Sequence, residues 1–212
     1  MKAIMSDNSI LPKELPSLEN KNNTYKIIIP TCAYNVKEYQ KKYITILRKF
    51  LLEFDGEILE LDLSNNIGGK TEVIASGLLP LFLLQPSKKL ILLENSKGVK
   101  KERVKIVNNE IYNLPVKIKK TKSMEKKPQK INVYIGNPTG SAAEQITLAL
   151  TLLKNITDVT FLGNPTAGFT TWIEYIELPN GGGLEYPVGN MVSISGIKAR
   201  SNGRLYPSDL NI

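Results

Sequence analysis

Gly136-Asn137-Pro138-Thr139-Gly140-Ser141-Ala142-Ala143-Glu144 is the stretch around which the rest of the chain is organised. It follows an apolar run at 131–135, which predicts a buried strand ended by the Gly/Asn/Pro turn. Ser141 then opens a segment whose apolar positions predict a buried helix. The stretch is therefore a strand-to-helix junction, which is typical of α/β folds.

Ser141 has two interpretations at this junction. A serine at a helix N-terminus is well placed for nucleophilic attack, because free backbone N–H groups and the positive end of the helix dipole stabilise negative charge there. Ser141 followed three residues later by Glu144 is also the pattern of a capping box, in which each side chain pairs with an N–H group of the first turn. Taken alone, the stretch favours the capping box.

The composition describes an ordinary globular protein. The chain has 212 residues, of which 42% are hydrophobic and 23% charged, enough for one sizeable core. Its single cysteine, Cys32, excludes an intramolecular disulfide and fits a reducing compartment. We see no signal peptide at the start and no apolar run approaching the ~18 residues of a membrane span. These features predict a cytoplasmic protein that does not span a membrane.

The net charge of +8 raises the question of nucleic-acid binding. Much of this charge lies in the lysine-rich segment 97–130, where Tyr112 is the only aromatic residue. Base stacking needs aromatic side chains, and bidentate recognition needs arginine rather than lysine. The segment is therefore interpreted as a solvated surface connection, and no nucleic-acid partner is predicted.

The chain contains no histidine. This absence excludes Ser-His-Asp and Cys-His mechanisms and removes the commonest transition-metal ligand. With only one cysteine besides, a zinc site is not expected, and neither a metal nor another cofactor is predicted.

Apolar periodicity predicts alternating strands and helices. Strands are expected at 25–29, 57–63, 88–93, 131–135 and 159–162, and helices at 36–54, 71–84 and after Ser141. A hairpin is expected at 103–118, and three C-terminal strands at 171–178, 184–188 and 191–195. The pattern predicts a largely parallel α/β core with an antiparallel C-terminal portion. Residues 1–24 are expected to form a flexible arm, and residues 25–212 a single catalytic domain.

A second junction of the same design is Asp62-Leu63-Ser64-Asn65-Asn66-Ile67-Gly68-Gly69. Both junctions would lie at the carboxyl ends of strands, where sites form in α/β sheets. Gly68 and Gly69 permit a tight backbone whose N–H groups can point into a cavity, as an oxyanion hole requires. The alternative is an ordinary Asn/Gly turn before the helix that begins at Thr71.

Together these stretches resemble the C-terminal processing, or tail-specific, serine peptidase family. The family carries D-L-R-x-N-x-G-G, an S-A-S-A-S-E-like segment, G-E-x-T-x-G, L-P-D-G-G and a late P-D. Degenerate matches occur in the same order at 62–69, 140–144, 163–168, 178–182 and 207–209. The resemblance covers nearly all of residues 25–209 and implies a Clp-protease/crotonase-like core of repeated β-β-α units. The family's PDZ domain has no counterpart in the sequence.

The resemblance implies roles for particular residues. Ser141 matches the nucleophile, and the backbone N–H groups of Ala142 and of Gly68 or Gly69 match the oxyanion hole. The general base does not match, because the main branch has lysine where this chain has Phe169. The arginine of D-L-R is replaced by Ser64.

The spelling Thr166-Ala167-Gly168 is closer to a branch that includes nisin-resistance proteins, where a histidine just after the first core strand is the base. The corresponding region here, 30–34, has no histidine. Accessory roles were considered for Glu174, near a polar position common in that branch, and for Cys32, whose thiolate could act as a base. A small residue in a partly buried loop is the favoured interpretation of Cys32.

Two functions follow from these observations. The first is a serine-type endopeptidase that cuts peptides near their C-termini, with Ser141 as the nucleophile. The second is a family member without its base that binds peptides and does not cleave them. Either function predicts a peptide or an unstructured protein C-terminus as the partner, bound as an extended strand. The oligomeric state is not predicted.

Overall fold

The computed structural model describes residues 14–179 and 181–212. The strands and helices are, in chain order, β1 (Ser17–Lys21), β2 (Thr24–Ile28), α1 (Lys37–Leu52), β3 (Ile58–Asp62), α2 (Thr71–Gly77), α3 (Leu79–Phe82), β4 (Lys89–Asn95), β5 (Lys100–Val107), β6 (Glu110–Ile111), β7 (Lys130–Ile135), α4 (Ala142–Leu150), β8 (Asp158–Gly163), β9 (Thr171–Glu177), β10 (Gly183–Val192) and α5 (Pro207–Leu210). A 3₁₀ helix, Thr151–Asn155, extends α4. Among the described residues, no helix is both long and apolar enough to cross a membrane.

The first sheet has the order β1-β2-β3-β7-β8. Strands β2, β3, β7 and β8 pair in parallel, as the sequence predicts. Their alternating residues bury one face, to which Leu59, Leu61 and Val133 contribute. Because the four strands run in the same direction, their carboxyl ends lie along one edge of the sheet.

The second sheet is antiparallel throughout, with the order β6-β5-β4-β10-β9. The antiparallel portion therefore begins in the middle of the chain, at β4, and is not confined to the C-terminus. Helix α4 contacts both α2 and β4, and α1 contacts α2. Both sheets and these helices contribute to one apolar core, and the α/β class is confirmed.

The N-terminal arm is only partly outside the described residues. Residues 1–13 cannot be compared with the prediction, but Ser17–Lys21 forms β1 and pairs antiparallel with β2, where a flexible arm was expected. Asn22 and Asn23 close this hairpin with φ values of 50° and 65°. Asparagine tolerates such left-handed conformations, which a two-residue hairpin turn requires.

Two predicted boundaries also differ. The helix expected at 71–84 is divided into α2 and α3, because Pro80 has no N–H to donate to the carbonyl of Ser76. Arg48 Nε donates to that carbonyl instead, at 2.9 Å. The two strands expected at 184–188 and 191–195 are the single strand β10, which continues through a bulge between Pro187 and Gly189.

The outer edge of β8 is covered by the C-terminal segment. Helix α5 packs against β8. The Asn211 side chain accepts a hydrogen bond from the N–H of Phe161 at 2.8 Å and donates to the carbonyl of Phe161 at 2.9 Å. One amide side chain thus pairs with both backbone groups of an edge residue.

Candidate active site

Four loops meet at the carboxyl ends of the parallel strands. Backbone hydrogen bonds join each loop to the next: Cys32 N–H to Gly68 O at 3.0 Å, Gly140 N–H to Asn66 O at 3.0 Å, and Ala167 N–H to Thr139 O at 2.8 Å. The two junctions singled out in the sequence, at 62–69 and 136–144, are therefore in direct contact. Such an edge is where α/β folds place their sites.

Asn66 holds three of these loops together. Its buried side chain donates to the carbonyls of Ile29 and Pro30, each at 3.0 Å, and accepts the N–H of Gly68 at 2.8 Å. Asn66 belongs to the second junction, but the sequence pattern assigns it no role. An asparagine two residues before a glycine is a local signal for a turn, but the two distant carbonyls cannot be seen in the sequence.

Ser141 has an unusual backbone conformation, with φ 51° and ψ −112°. An ordinary N-cap residue has β-region angles and a negative φ. A non-glycine residue in this region costs of order 1–3 kcal/mol, and such strain persists only where the surroundings enforce it. Strained serines at strand-to-helix turns are also found at the nucleophile elbows of α/β hydrolases, where the turn exposes the hydroxyl.

Glu144 lies beside this turn in the interior of the protein. It is fully buried and accepts four hydrogen bonds, from the N–H of Ser141 (2.8 Å), the hydroxyl of Thr166 (2.5 Å), the N–H of Gly168 (3.0 Å) and the N–H of Phe169 (2.8 Å). Burial raises the pKa of its carboxyl above the usual range, although these donors oppose the shift. The capping-box arrangement with Ser141 is present as well. The capping interpretation and an elbow-like serine therefore coexist.

Some backbone N–H groups near Ser141 already donate a hydrogen bond, and others are free to bind an oxyanion. The N–H of Gly68 is bonded to Asn66, and that of Ser141 to Glu144. Within the described chain, the N–H groups of Gly69 and Ala142 have no acceptor. Gly68 is nevertheless in close contact with the junction, since a Cβ at this position would lie 3.0 Å from the Ser141 Cβ. Of the predicted oxyanion donors, Gly69 and Ala142 are the two whose N–H groups are free.

A cavity of about 340 Å³ opens beside Ser141. Its lining is apolar or neutral and consists of Ser141, Gly168, Phe169, Thr171, Ile173 and Met191. Phe169, at the position of the family base, is 66% exposed. In the part of the chain that the structure describes, no hydrogen bond joins the Ser141 hydroxyl to a Lys, Glu or Cys side chain.

The two accessory candidates are placed away from this cavity. Cys32 is fully buried and forms a backbone bridge with Gly69, and burial raises the pKa of its thiol to about 12. A thiol with this pKa stays protonated near neutrality, so the thiolate-base hypothesis for Cys32 is not supported. Glu174 alternates with Ile173 along β9, lines a different cavity and accepts a hydrogen bond from Tyr186 at 3.4 Å.

The carboxylate of Asp62 lies at the start of this junction, where Ser64 stands in place of the arginine of the D-L-R motif. Ser64 donates to Asp62 through both its hydroxyl (2.6 Å) and its N–H (3.0 Å). Lys26 pairs with the same carboxylate at 3.0 Å. Although burial opposes the shift, these partners hold the pKa of Asp62 below its usual range. Asp62 therefore has a cation and two donors without an arginine.

The parallel sheet, with a strained serine at its carboxyl edge, defines the class as an α/β protein. Comparison with known proteins gives the family. The sequence profile described as Peptidase family S41 matches residues 26–204, and the chain belongs to this family.

Solved structures with a similar fold include three proteins. A lipoprotein from Streptococcus agalactiae is 29% identical with a TM-score of 0.72, and the match covers 92% of this chain and 64% of that one. The photosystem II D1 C-terminal processing protease is 18% identical with a TM-score of 0.56, covering 87% of this chain and 41% of that one. Mature CPAF is 13% identical with a TM-score of 0.50, covering 91% and 48%. The last two show the fold alone.

The chain spans less than two thirds of the length of each of these three structures. No curated protein matches the chain.

Proposed function

We propose that the chain is a serine-type peptidase in which Ser141 is the nucleophile and the substrate is an extended peptide cut near its C-terminus. The observation that carries the proposal is the conformation of Ser141, whose φ of 51° is strained for a serine. A helix cap alone does not need this strain, because β-region angles suffice for capping. Strain held in place by buried hydrogen bonds is typical of functional residues.

The proposed chemistry uses groups that lie at the junction. The Ser141 hydroxyl attacks the scissile carbonyl, and the N–H groups of Ala142 and Gly69 stabilise the oxyanion that forms. The first turn of α4 contributes the positive end of its dipole. The serine proton must go to a base and then to the leaving amine, and water must then hydrolyse the ester formed with Ser141. Among the described residues, no lysine lines the cavity beside Ser141.

An open strand edge supports an extended peptide as substrate. Strand β9 is the last strand of the second sheet, and its residues Thr171 and Ile173 line the cavity beside Ser141. A peptide that pairs with this edge would pass Ser141 in extended form. On the Thr166-Ala167-Gly168 spelling, we also propose that the chain is close to the nisin-resistance branch and that its peptide is bacteriocin-like.

A second function is favoured by the cavity lining. Among the described residues, none of the side chains around the cavity beside Ser141 is ionisable, and Phe169 stands where the family has a lysine. General-base assistance is worth typically ~10²–10⁴-fold, so a chain without it would retain only residual hydrolysis. Such a chain would bind and sequester peptides.

Labelling with a fluorophosphonate probe separates the two functions. We expect the wild-type protein to be labelled and to cleave peptides, and Ser141→Ala to abolish both. Ser64→Ala is the matched control, since Ser64 lies at the neighbouring junction but is bonded to Asp62. Cleavage that persists in Ser141→Ala would contradict the site assignment. Peptide binding by a wild-type protein that is not labelled would establish the binding function instead.

A further inference from the structure

Glu144 lies between two parts of the site that are distant in sequence. It belongs to the first turn of α4, yet three of its four donors come from the loop that leads into β9, namely Thr166, Gly168 and Phe169. The fourth donor is the N–H of Ser141. The backbone of Ser141 and the wall of the adjoining cavity are therefore bonded to the same carboxylate.

The arrangement of these donors indicates what Glu144 does. Oε1 accepts from Thr166 and Gly168, and Oε2 accepts from Ser141 and Phe169. A carboxylate has about four acceptor positions, so all of them are occupied. Glu144 could take a proton from the Ser141 hydroxyl only by losing one of these bonds. The carboxylate is therefore saturated and is poorly suited to act as a general base.

We infer that Glu144 is a positioning residue, which holds Ser141 in its strained conformation and fixes the Phe169 side of the cavity against it. This inference rests on the proposed function of Ser141, and goes beyond the capping box because it assigns the carboxylate to a second loop. In a capping box alone, the carboxylate would accept only from the N–H of Ser141, and the three donors from the 166–169 loop would be absent. Loss of Glu144 would free both the serine backbone and the cavity wall.

Glu144→Gln tests the inference at nearly constant volume. Glutamine keeps one carbonyl oxygen, but its NH₂ group cannot accept, so two of the four donors lose their partner. Gln145→Leu is the matched control, because Gln145 is the next residue of the same helix, is also buried, and has a side-chain oxygen without a hydrogen-bond partner among the described residues. It does not bond to the 166–169 loop in that part of the chain.

The first readout is the rate of fluorophosphonate labelling per folded molecule. We expect Glu144→Gln to slow labelling by about 10- to 100-fold, as displacement of a reacting group by a fraction of an ångström does, and Gln145→Leu to leave the rate unchanged. The folded fraction is measured by circular dichroism at the same temperature. A merely structural role would lower the folded fraction and leave the rate per folded molecule at the wild-type value, which would overturn the inference.

The second readout does not depend on activity. Because glutamine keeps one of the two oxygens, amide hydrogen exchange should lose protection either at Gly168 or at Ser141 and Phe169 in Glu144→Gln. All three amides should keep their protection in Gln145→Leu. If the wild-type protein is not labelled at all, the proposed function fails, and exchange still decides whether Glu144 positions both segments. Unchanged protection at all three amides would overturn the positioning role.

A milder pair of variants covers the case in which Glu144→Gln does not fold. Thr166→Val removes one donor to Glu144 and also the acceptor of the Leu205 N–H, whereas Thr166→Ser keeps the hydroxyl for both hydrogen bonds. We expect slower labelling and faster exchange at Gly168 and Phe169 in Thr166→Val, with both restored in Thr166→Ser. Equal behaviour of the two variants would count against the inference.

Discussion

Replacement of Asn66 tests how the loops of the site are held together. In Asn66→Ala, the carbonyl of Ile29 and the N–H of Gly68 lose the side-chain partners that they have in the structure. The carbonyl of Pro30 keeps a hydrogen bond from the Tyr43 hydroxyl at 2.6 Å. Two buried backbone groups are therefore left unpaired.

The magnitude follows from these two groups. An unpaired buried polar group costs about 1–3 kcal/mol, so the pair should lower the free energy of unfolding by about 4 kcal/mol. For a chain of this size the loss corresponds to a decrease of roughly 8–16 °C in Tm. Thermal unfolding followed by circular dichroism, together with urea titration, measures both quantities.

Asn66→Asp should be less stable than Asn66→Ala at pH 8. It keeps the acceptor for Gly68 but replaces two donated hydrogen bonds with a carboxylate that faces the carbonyls of Ile29 and Pro30. Burial and these carbonyls raise the pKa of the new carboxyl in the folded state above its value in the unfolded chain. The stability that Asn66→Asp loses beyond Asn66→Ala is therefore fully lost above the pKa of the carboxyl in the folded state. This difference becomes smaller as the pH falls and the carboxyl protonates.

Asn132→Ala is the control variant. Its side chain donates to Glu60 at 3.1 Å on the half-exposed face of the sheet, so Asn132→Ala should cost less than about 1 kcal/mol. The reasoning would be refuted if Asn66→Asp were as stable as Asn66→Ala at pH 8, or if Asn66→Ala cost no more than Asn132→Ala.

Three further predictions concern the site. Phe169→Lys places an amine at the family's base position and should speed labelling and peptide cleavage by about 10²-fold or more over Phe169→Met, because a lysine there can take the proton of the Ser141 hydroxyl. Equal rates in the two variants would speak against a competent Ser141. The Cys32 thiol of the folded protein should react with Ellman's reagent at pH 8 about 10³-fold more slowly than an ordinary thiol, because its pKa is raised to about 12. The same thiol should react fully after denaturation. Rapid reaction of the folded protein would contradict the burial of Cys32. Gly69→Ala should cost roughly 3–5 kcal/mol in urea titration, since its φ is +116° and a Cβ would lie 2.2 Å from the Cys32 carbonyl oxygen. Gly181→Ala, with φ +77° and no atom of another described residue within 4 Å of the added Cβ except its chain neighbours, should cost about 1 kcal/mol. Similar costs would refute the packing argument.

Local patterns predicted much of the parallel core and both junctions. The apolar runs around 57–63 and 131–135 are strands β3 and β7, and Ser141 begins the buried helix α4 as expected. These features depend on periodicity and turn chemistry within about ten residues, which a sequence displays directly.

Features that depend on distant residues were not predictable in the same way. Strand β1 is polar, and the Asn22-Asn23 turn is the local sequence signal that indicates its pairing with β2. The second sheet joins β4 to β10, about 95 residues later in the chain, and no local pattern encodes that pairing. Glu144 could be recognised as a capping residue, but its bonds to the 166–169 loop arise from tertiary packing.

The orientation of side chains along β9 is another feature that the sequence does not predict. Side chains alternate along a strand, so a shift of one residue exchanges the two faces. Ile173 faces the cavity beside Ser141, and Glu174 faces away from it. The sequence placed Glu174 near a family position but could not decide which face it would occupy.

The hydrogen bonds of Asn211 have a consequence for self-association. An edge strand exposes unpaired N–H and C=O groups, which are a template for adding a strand from another molecule. At Phe161 in β8 both groups are already taken by one side chain, in the manner of a neighbouring strand. At Phe161, Asn211 therefore blocks the backbone groups that a strand from another molecule would need for pairing. The segment that carries Asn211 thus opposes extension of the parallel sheet at this edge.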